Sequence, residues 1–406
     1  KKRILIIFGI EYIWNKNTMI SSGLSKLEIK LTAIIFIVYM FRMLGIFMIF
    51  PILSIFLDDY EGSTPFLIGV TLGVWGLTNA LFQIPLGMLS DFIGRKRVII
   101  FGLIIFIIGS IVAAVATDIT NIIFGRSLQG IGAISGSLMA LASDISSEKN
   151  RTTVMAFIGI GIGFSFFLSF LIGPIIAHAY QLSGVFFAAA IFSLVSIFLI
   201  IYFPDVKNVK TSDNFQILEI KKLFNNKEIL NYFIGIFVLH LILTACFVAI
   251  PIALTNIHDI SSDEYPQVFS FILSMSLLLI IPLLFFERKN PRKIHFYSSF
   301  ILLGSLITLT VFYYSAVHTI LSLIFLIAAF SVLEASLPSS VSKVAPPSSR
   351  GSSMGFFSTF QFLGTFVGGI IGGFILQNSS LSVIFLVCAI ITSMWMVLSL
   401  LRINVK

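Results

Sequence analysis

The sequence predicts an all-α membrane protein of twelve transmembrane helices in two pseudo-symmetric six-helix bundles. Three observations carry this expectation. Of the 406 residues 57% are hydrophobic and only 11% charged, against roughly 25% charged in an ordinary soluble chain. Apolar stretches of about 20 residues, each able to cross ~30 Å of hydrocarbon as a helix, recur along the whole length. A polar segment, "PDVKNVKTSDNFQILEIKKLFNNKE" from Pro204 to Glu228, divides them six and six.

The first bundle takes spans near 31–57, 66–89, 98–117, 120–143, 153–178 and 182–203; the second takes 230–254, 266–286, 295–314, 317–341, 352–376 and 381–401. The turns between them alternate in charge. All but two of the 26 Lys and Arg fall in the tails and the even-numbered turns, whereas "LDDYEGSTP", "TDIT", "HAYQLSG", "NIHDISSDEYPQ", "YYSAVHT" and "QNSSLS" contain none. The positive-inside rule therefore places both termini in the cytoplasm. It also explains the net charge of +8 as topology, with no nucleic acid required. The divisions expected are a tail over 1–30, bundles over 31–203 and 230–402, a linker over 204–229 and an end segment over 403–406. "MISSGLSKLEIK" from Met19 reads as an ordinary cytoplasmic start, so residues 1–18 are expected to be an extension that is not native.

A repeat is visible across the linker. "IPL" followed by an acid and a basic cluster closes span 2 (Ile84, Pro85, Leu86, Asp91, Arg95) and again span 8 (Ile281, Pro282, Leu283, Glu287, Arg292). Two six-helix repeats with a site between them at mid-membrane is an architecture of secondary transporters, which rock one half against the other. The ionisable residues inside spans fit such a site. Arg42, Arg126, His240 and Glu334 lie on spans 1, 4, 7 and 10, and an ionisable group at bilayer depth costs several kcal/mol unless it faces a partner or water.

Arg42 is about twelve residues into its span, ~18 Å of helix. Arg126 is only about seven residues, ~10 Å, from the outer face, where snorkelling is an alternative. A carboxyl such as Glu334 in a low-dielectric site can carry a proton across, and an imidazole such as His240 suits a proton relay, although histidine on an apolar helix is often a satisfied structural residue. These four form the expected proton-coupling set. Tyr39, Asn79, Gln83, Gln129, Gln361 and Thr365 are candidates to line the substrate cavity; interhelical hydrogen bonding is the alternative reading for such groups.

Several stretches now resemble one family. "GMLSDFIGRKR" (Gly87 to Arg97) is similar to motif A of the major facilitator superfamily, with Phe92 where a basic residue is usual. "GRSLQG" (Gly125 to Gly130) is similar to motif B, placing Arg126, Gln129 and Gly130 on one helical face. "LGIFMIFPILS" in span 1 is close to the signature of drug:proton antiporters, with Ser54 replacing a final proline. Antiporter motif C is partial: Gly173–Pro174 is present, but Ser169, Ala177 and His178 occupy positions that are usually glycine.

The resemblance implies the major facilitator fold. It makes Gly87 and Gly94 tight-packing positions, Asp91 the motif acid and Arg95 with Lys96 its basic pair. On physical grounds Asp91 is expected to meet the N-terminus of span 11 at "SSRGSSMGF", where free N–H groups and the helix dipole attract a carboxylate, while Arg95 pairs with Asp144. Such a cytoplasmic latch would favour the outward-open state by about 1–3 kcal/mol.

Other signals carry no chemistry. Cys246 and Cys388 lie in apolar runs and suggest neither disulfides nor a metal site. "GSSMG" opens a membrane helix and lacks the strand and triad of a nucleophile elbow; "GIGIG" lacks the βαβ setting of a dinucleotide site. The chain is not expected to be an enzyme and needs no cofactor beyond the proton as coupling ion. Its expected partners are a small-molecule substrate, protons and the lipid bilayer, and it is expected to be a monomer of a bacterial inner membrane. The expected activity is proton-coupled export of a small organic compound or drug. A proton symporter or uniporter for a metabolite, and a non-transporting membrane sensor, are the alternatives.

Overall fold

A computed structural model describes residues 3–7, 10–14, 25–147, 150–204, 223–289, 291–346 and 350–403. Most of the expected linker, parts of the N-terminal tail and the last three residues lie outside the described residues. Two short strands, β1 (Arg3–Ile7) and β2 (Ile10–Trp14), pair antiparallel with Arg3 opposite Trp14. This hairpin is an addition to the all-helical expectation.

Among the described residues the main helices are α1 (Lys26–Phe47), α2 (Leu53–Phe56), α3 (Pro65–Ile93), α4 (Arg95–Ala114), α5 (Ile119–Ile131), α6 (Ser135–Ile145), α7 (Arg151–Ile201), α8 (Lys227–Asn256), α9 (Tyr265–Lys289), α10 (Pro291–Phe312), α11 (Ala316–Val344), α12 (Arg350–Asn378) and α13 (Leu381–Ile403). Among the described residues eleven segments are long and apolar enough to cross a membrane, counting α5 with α6 as one. Helix α7 accounts for the twelfth crossing. Its 51 residues would reach ~75 Å if straight, more than twice the hydrocarbon thickness, but Tyr180 and Gln181 leave helical geometry, Gln181 at φ 58°, and the chain turns back there.

The helices depart from the expected spans in two further places, each for a local reason. Span 1 ends at Phe47 because Pro51 lacks an N–H and restricts the residue before it; a turn and the single-turn α2 complete the crossing. Span 4 breaks between α5 and α6 at Gly132–Ile134, where Gly132 lies against the α4 backbone at Gly102 and within 3.2 Å of Phe106 as measured from a would-be Cβ. Entry into α1 is fixed by a capping box: Ser25 Oγ accepts from the Glu28 N–H at 3.1 Å and the Glu28 carboxylate accepts from the Ser25 N–H at 2.8 Å. The same carboxylate accepts from the Ser147 N–H at 3.1 Å and Asn150 Nδ2 at 3.3 Å, tying the start of α1 to the α6–α7 turn.

Helices α1–α7 pack among themselves and α8–α13 among themselves, and the two groups meet chiefly along α3 and α12, with lesser contact of α7 on α9 and α2 on α8. The contact is one-ended. Near the acidic turns the backbones touch: a Cβ on Gly76 would lie 2.6 Å from Phe362 O, on Gly73 2.9 Å from Phe366 O and on Gly373 2.8 Å from Phe66 O, and one on Gly69 would overlap Gly369 O. Small residues permit this approach, and close packing is what associates helices inside a bilayer. Gln377 Oε1 on α12 also accepts from the Phe66 N–H at 3.2 Å, satisfying a free donor in the first turn of α3. Toward the basic end the helices part, and Gly87, Gly351 and Gly355 have no neighbouring atom within 4 Å of a would-be Cβ. The structure is closed at the acidic end and open at the basic end.

Gly69→Val should therefore oppose this state alone, since overpacking costs about 1–3 kcal/mol and the clash disappears once the acidic ends separate. A spin-label pair at Thr64 and Asn378 measures the effect. The long-distance population is expected to rise roughly tenfold over wild type, and an unchanged distance distribution would show that the seam does not set the equilibrium.

Candidate functional site

The C-terminal helices bring three of the sequence-expected residues together. Glu334 (α11), His240 (α8) and Gln361 (α12) form a closed cluster: His240 Nε2 is 2.9 Å from Glu334 Oε2, Gln361 Nε2 donates to Glu334 Oε1 at 2.8 Å, and Gln361 Nε2 is 2.9 Å from His240 Nε2. The ring of Phe330 stands edge-on to the imidazole at 5.4 Å. The His240 side chain is 10% exposed and that of Glu334 31%, so the carboxyl is the more accessible of the two.

The geometry is chemically two-faced. A ring nitrogen carrying a proton donates and one without it accepts. Nε2 therefore either donates to Glu334 or accepts from Gln361, and a proton moved between Glu334 and His240 changes the partner left for Gln361.

Arg42 and Arg126 do not join this cluster. Both lie in the N-terminal helices, at 1% and 0% exposure, and neither forms an ion pair among the described residues. Arg126 NH1 donates to Gln129 Oε1 at 2.6 Å and its Nε to Thr71 O at 3.4 Å; Gln129 Nε2 in turn donates to Ser110 Oγ at 2.8 Å. Arg126 NH2 and all three Arg42 nitrogens have no hydrogen-bond partner. Each also faces an aromatic ring, Phe106 with its centroid 5.3 Å from Arg42 Cζ and Trp75 with its centroid 5.8 Å from Arg126 Cζ. The four residues expected to serve proton coupling do not meet: the carboxyl and imidazole lie in one half and the two cations in the other, because α1 and α5 pack against α7 and α4 while α8 and α11 pack with each other.

Of the cavity candidates, only Gln361 is partly exposed. Tyr39, Asn79, Gln83, Gln129 and Thr365 are buried. Gln129 is held in the arginine chain, Thr365 lies in the α3–α12 seam 3.1 Å from a would-be Cβ on Gly76, and Asn79 Oδ1 and Gln83 Oε1 have no partner.

The motif A stretch is also rearranged. Asp91 pairs with Arg95, which also reaches Asp144 Oδ2 through Nε at 3.3 Å and Ser90 Oγ through NH1 at 2.6 Å. Asp91 makes no bond to α12 here, because the basic ends of α3 and α12 stand apart; residues 347–349 lie outside the described residues. Lys96 Nζ donates to Ile201 O and Phe203 O at 2.8 Å each, covering the carbonyl end of α7. Gly87, expected to pack tightly, has no neighbouring atom within 4 Å of a would-be Cβ. Gly94 serves the turn between α3 and α4 with φ 103°, a conformation that L side chains rarely adopt.

The sequence profile of the Major Facilitator Superfamily matches residues 35–327 and 290–406. The chain belongs to the Major Facilitator Superfamily. It is 35% identical over 368 residues to the inner membrane transport protein YajR of Escherichia coli (strain K12), covering 88% of this chain and 80% of that protein. It is 35% identical over 349 residues to the uncharacterized transporter BU466 of Buchnera aphidicola subsp. Acyrthosiphon pisum, covering 84% and 89%. In fold it is similar to a bacterial homologue of the human lysosomal transporter Spinster in an inward-facing and occupied conformation, with TM-score 0.76 at 12% identity over 95% of this chain and 98% of that one. This member of the superfamily is thus a multi-pass membrane transporter and not an enzyme.

For this facilitator, sequence reasoning missed Trp75, Phe106, Ser110 and Phe330, the residues that hold or cover the buried charges. Trp75 carried a signal: a tryptophan set between Gly73 and Gly76 marks a large ring beside a close helix crossing. Asp144 and Asp91 should differ in weight. The Asp144 side chain is 14% exposed and that of Asp91 47%. Asp144→Asn is expected to cost about 1.5–3 kcal/mol, as for a hydrogen bond to a charged group, and Asp91→Asn under about 1 kcal/mol, as for an exposed pair. Thermal unfolding in detergent checks the order; equal shifts would contradict it.

Proposed function

We propose that the chain is a proton-coupled transporter working by alternating access, which exports a small organic compound from the cytoplasm with its basic face and both ends on the cytoplasmic side. The observation that carries the reading is the Glu334–His240–Gln361 cluster, the meeting point of the one carboxyl at membrane depth among the described residues with an imidazole. A carboxyl there can gain a proton from one side and release it to the other as the halves rock. The excess of Lys and Arg in alternate turns supports the orientation, which makes the conformation described here cytoplasm-open.

Asp91 then serves the other state. With the basic ends closed, it lies near the first turn of α12, whose free N–H groups favour a carboxylate. Export follows the similarity of the span-1 stretch and Gly173–Pro174 to drug:proton antiporters. Proton symport is the second reading, favoured by Ser169, Ala177 and His178 at positions usually glycine in those proteins.

Glu334→Gln tests the proton site, because it keeps volume and hydrogen bonding and removes titration. In proteoliposomes at equal protein density, with a compound found by thermal-shift screening, accumulation driven by a pH gradient is expected to vanish while exchange without a gradient persists. Full accumulation by the variant would move the proton to His240. Loss of both fluxes together with binding would make Glu334 a ligand or structural residue. The sign of the gradient that drives wild-type accumulation separates antiport from symport. Asp91→Asn is expected to lower transport and shift cysteine labelling toward the cytoplasm-open state, and an unchanged labelling ratio at normal expression counts against the latch.

A further inference from the structure

We propose that the transported compound is an organic anion, whose carboxylate is taken by the free edge of Arg126 beneath Trp75. The proposal rests on the transport reading above and names its substrate class. Its starting point is charge. Two guanidinium groups are sealed at membrane depth in the N-terminal helices, and every Asp and Glu of those helices among the described residues lies in a turn or at a helix end. Glu334, the one acid at that depth among the described residues, belongs to the other half and is engaged by His240 and Gln361. Buried charges are ordinarily paired, so the N-terminal half lacks a negative group that an incoming ligand can bring.

The site is oriented as well as charged. Thr71 O and the Gln129–Ser110 chain hold Arg126 by Nε and NH1, leaving NH2 without a partner; a guanidinium edge of this kind suits carboxylate oxygens. Ser110 Oγ donates to Phe106 O at 2.8 Å one turn earlier on α4, and the Phe106 ring lies under Arg42. Both cations therefore address the same face of α4, and Arg42 adds a second positive field to the site.

The cover depends on conformation. Trp75 lies over Arg126 and is itself met edge-on by Phe362 of the other half, centroid to centroid 5.6 Å. When the acidic ends of α3 and α12 separate, Phe362 leaves Trp75 and the way to Arg126 opens from that side, so the anion is loaded there, as the symport reading above requires and export does not. The same two rings supply an apolar wall for the body of the anion.

A matched set of probes tests this: 1-naphthoate, 1-naphthamide and 1-naphthylmethylamine share one ring system and carry charge −1, 0 and +1. Melting of the purified full chain is followed with each. Naphthoate is expected to stabilise wild type while the amide and amine do not, with apparent Kd at least tenfold weaker in Arg126→Gln and partly restored in Arg126→Lys. Unliganded Arg126→Gln should melt no lower than wild type, because it removes an unpaired buried charge. Equal responses to the three probes, preference for the amide or amine, no response to naphthoate, or an Arg126→Gln protein that melts well below wild type would each overturn the proposal. Glu334→Gln separates it from the proton reading. A naphthoate response retained there while pH-driven flux is lost supports both, whereas unimpaired flux removes the proton site and leaves the anion site standing.

Discussion

Backbone contact between α3 and α12 at one end only is the constraint on which the rest of the structure depends. Gly69, Gly73, Gly76, Gly369 and Gly373 let two membrane helices from different halves touch main chain to main chain, an approach that any side chain would prevent. Because lipid offers no hydrophobic drive for helices to associate, such contact has to come from shape. It fixes the halves at the acidic end and leaves the basic ends of the same helices apart. Opening and sealing are therefore two consequences of one seam.

That seam also sets the surroundings of several polar groups at depth. Thr365 is consumed in the contact itself, and Phe362 is pressed on Trp75, which covers Arg126. On the open side of the same helix, Gln361 remains free to meet Glu334 and His240. One turn of α12 thus touches both the seal and the carboxyl cluster. Gln361 therefore joins the cluster to the same helix that forms the seal.

The motif A stretch occupies the other end of the same lever. With α12 withdrawn, Asp91 stays with Arg95, Arg95 bridges to Asp144, and Lys96 covers the end of α7. The stretch is a complete polar network inside one half in this conformation, so parting from the second half leaves its charges satisfied.

The crossings, their order and the sidedness of charge were legible in the sequence, because bilayer thickness sets span length and every backbone group must be bonded within its own helix. The buried ionisable residues were legible too, since apolar runs make a lone Arg or Glu conspicuous. Pro51 and Gly132 hid their breaks, because a span interrupted at depth keeps the same hydropathy. Which charges meet was decided only by the tertiary structure. Arg42, Arg126, His240 and Glu334 recur once per three-helix group and so read as one set, yet repeat symmetry fixes depth and not azimuth. The packing of α8 with α11 and α12 brings His240, Glu334 and Gln361 together, while the packing of α1, α4 and α5 encloses the arginines apart from them. The state of the seam was equally invisible, because the same glycines serve closed and separated halves, and only three-dimensional contact selects between them.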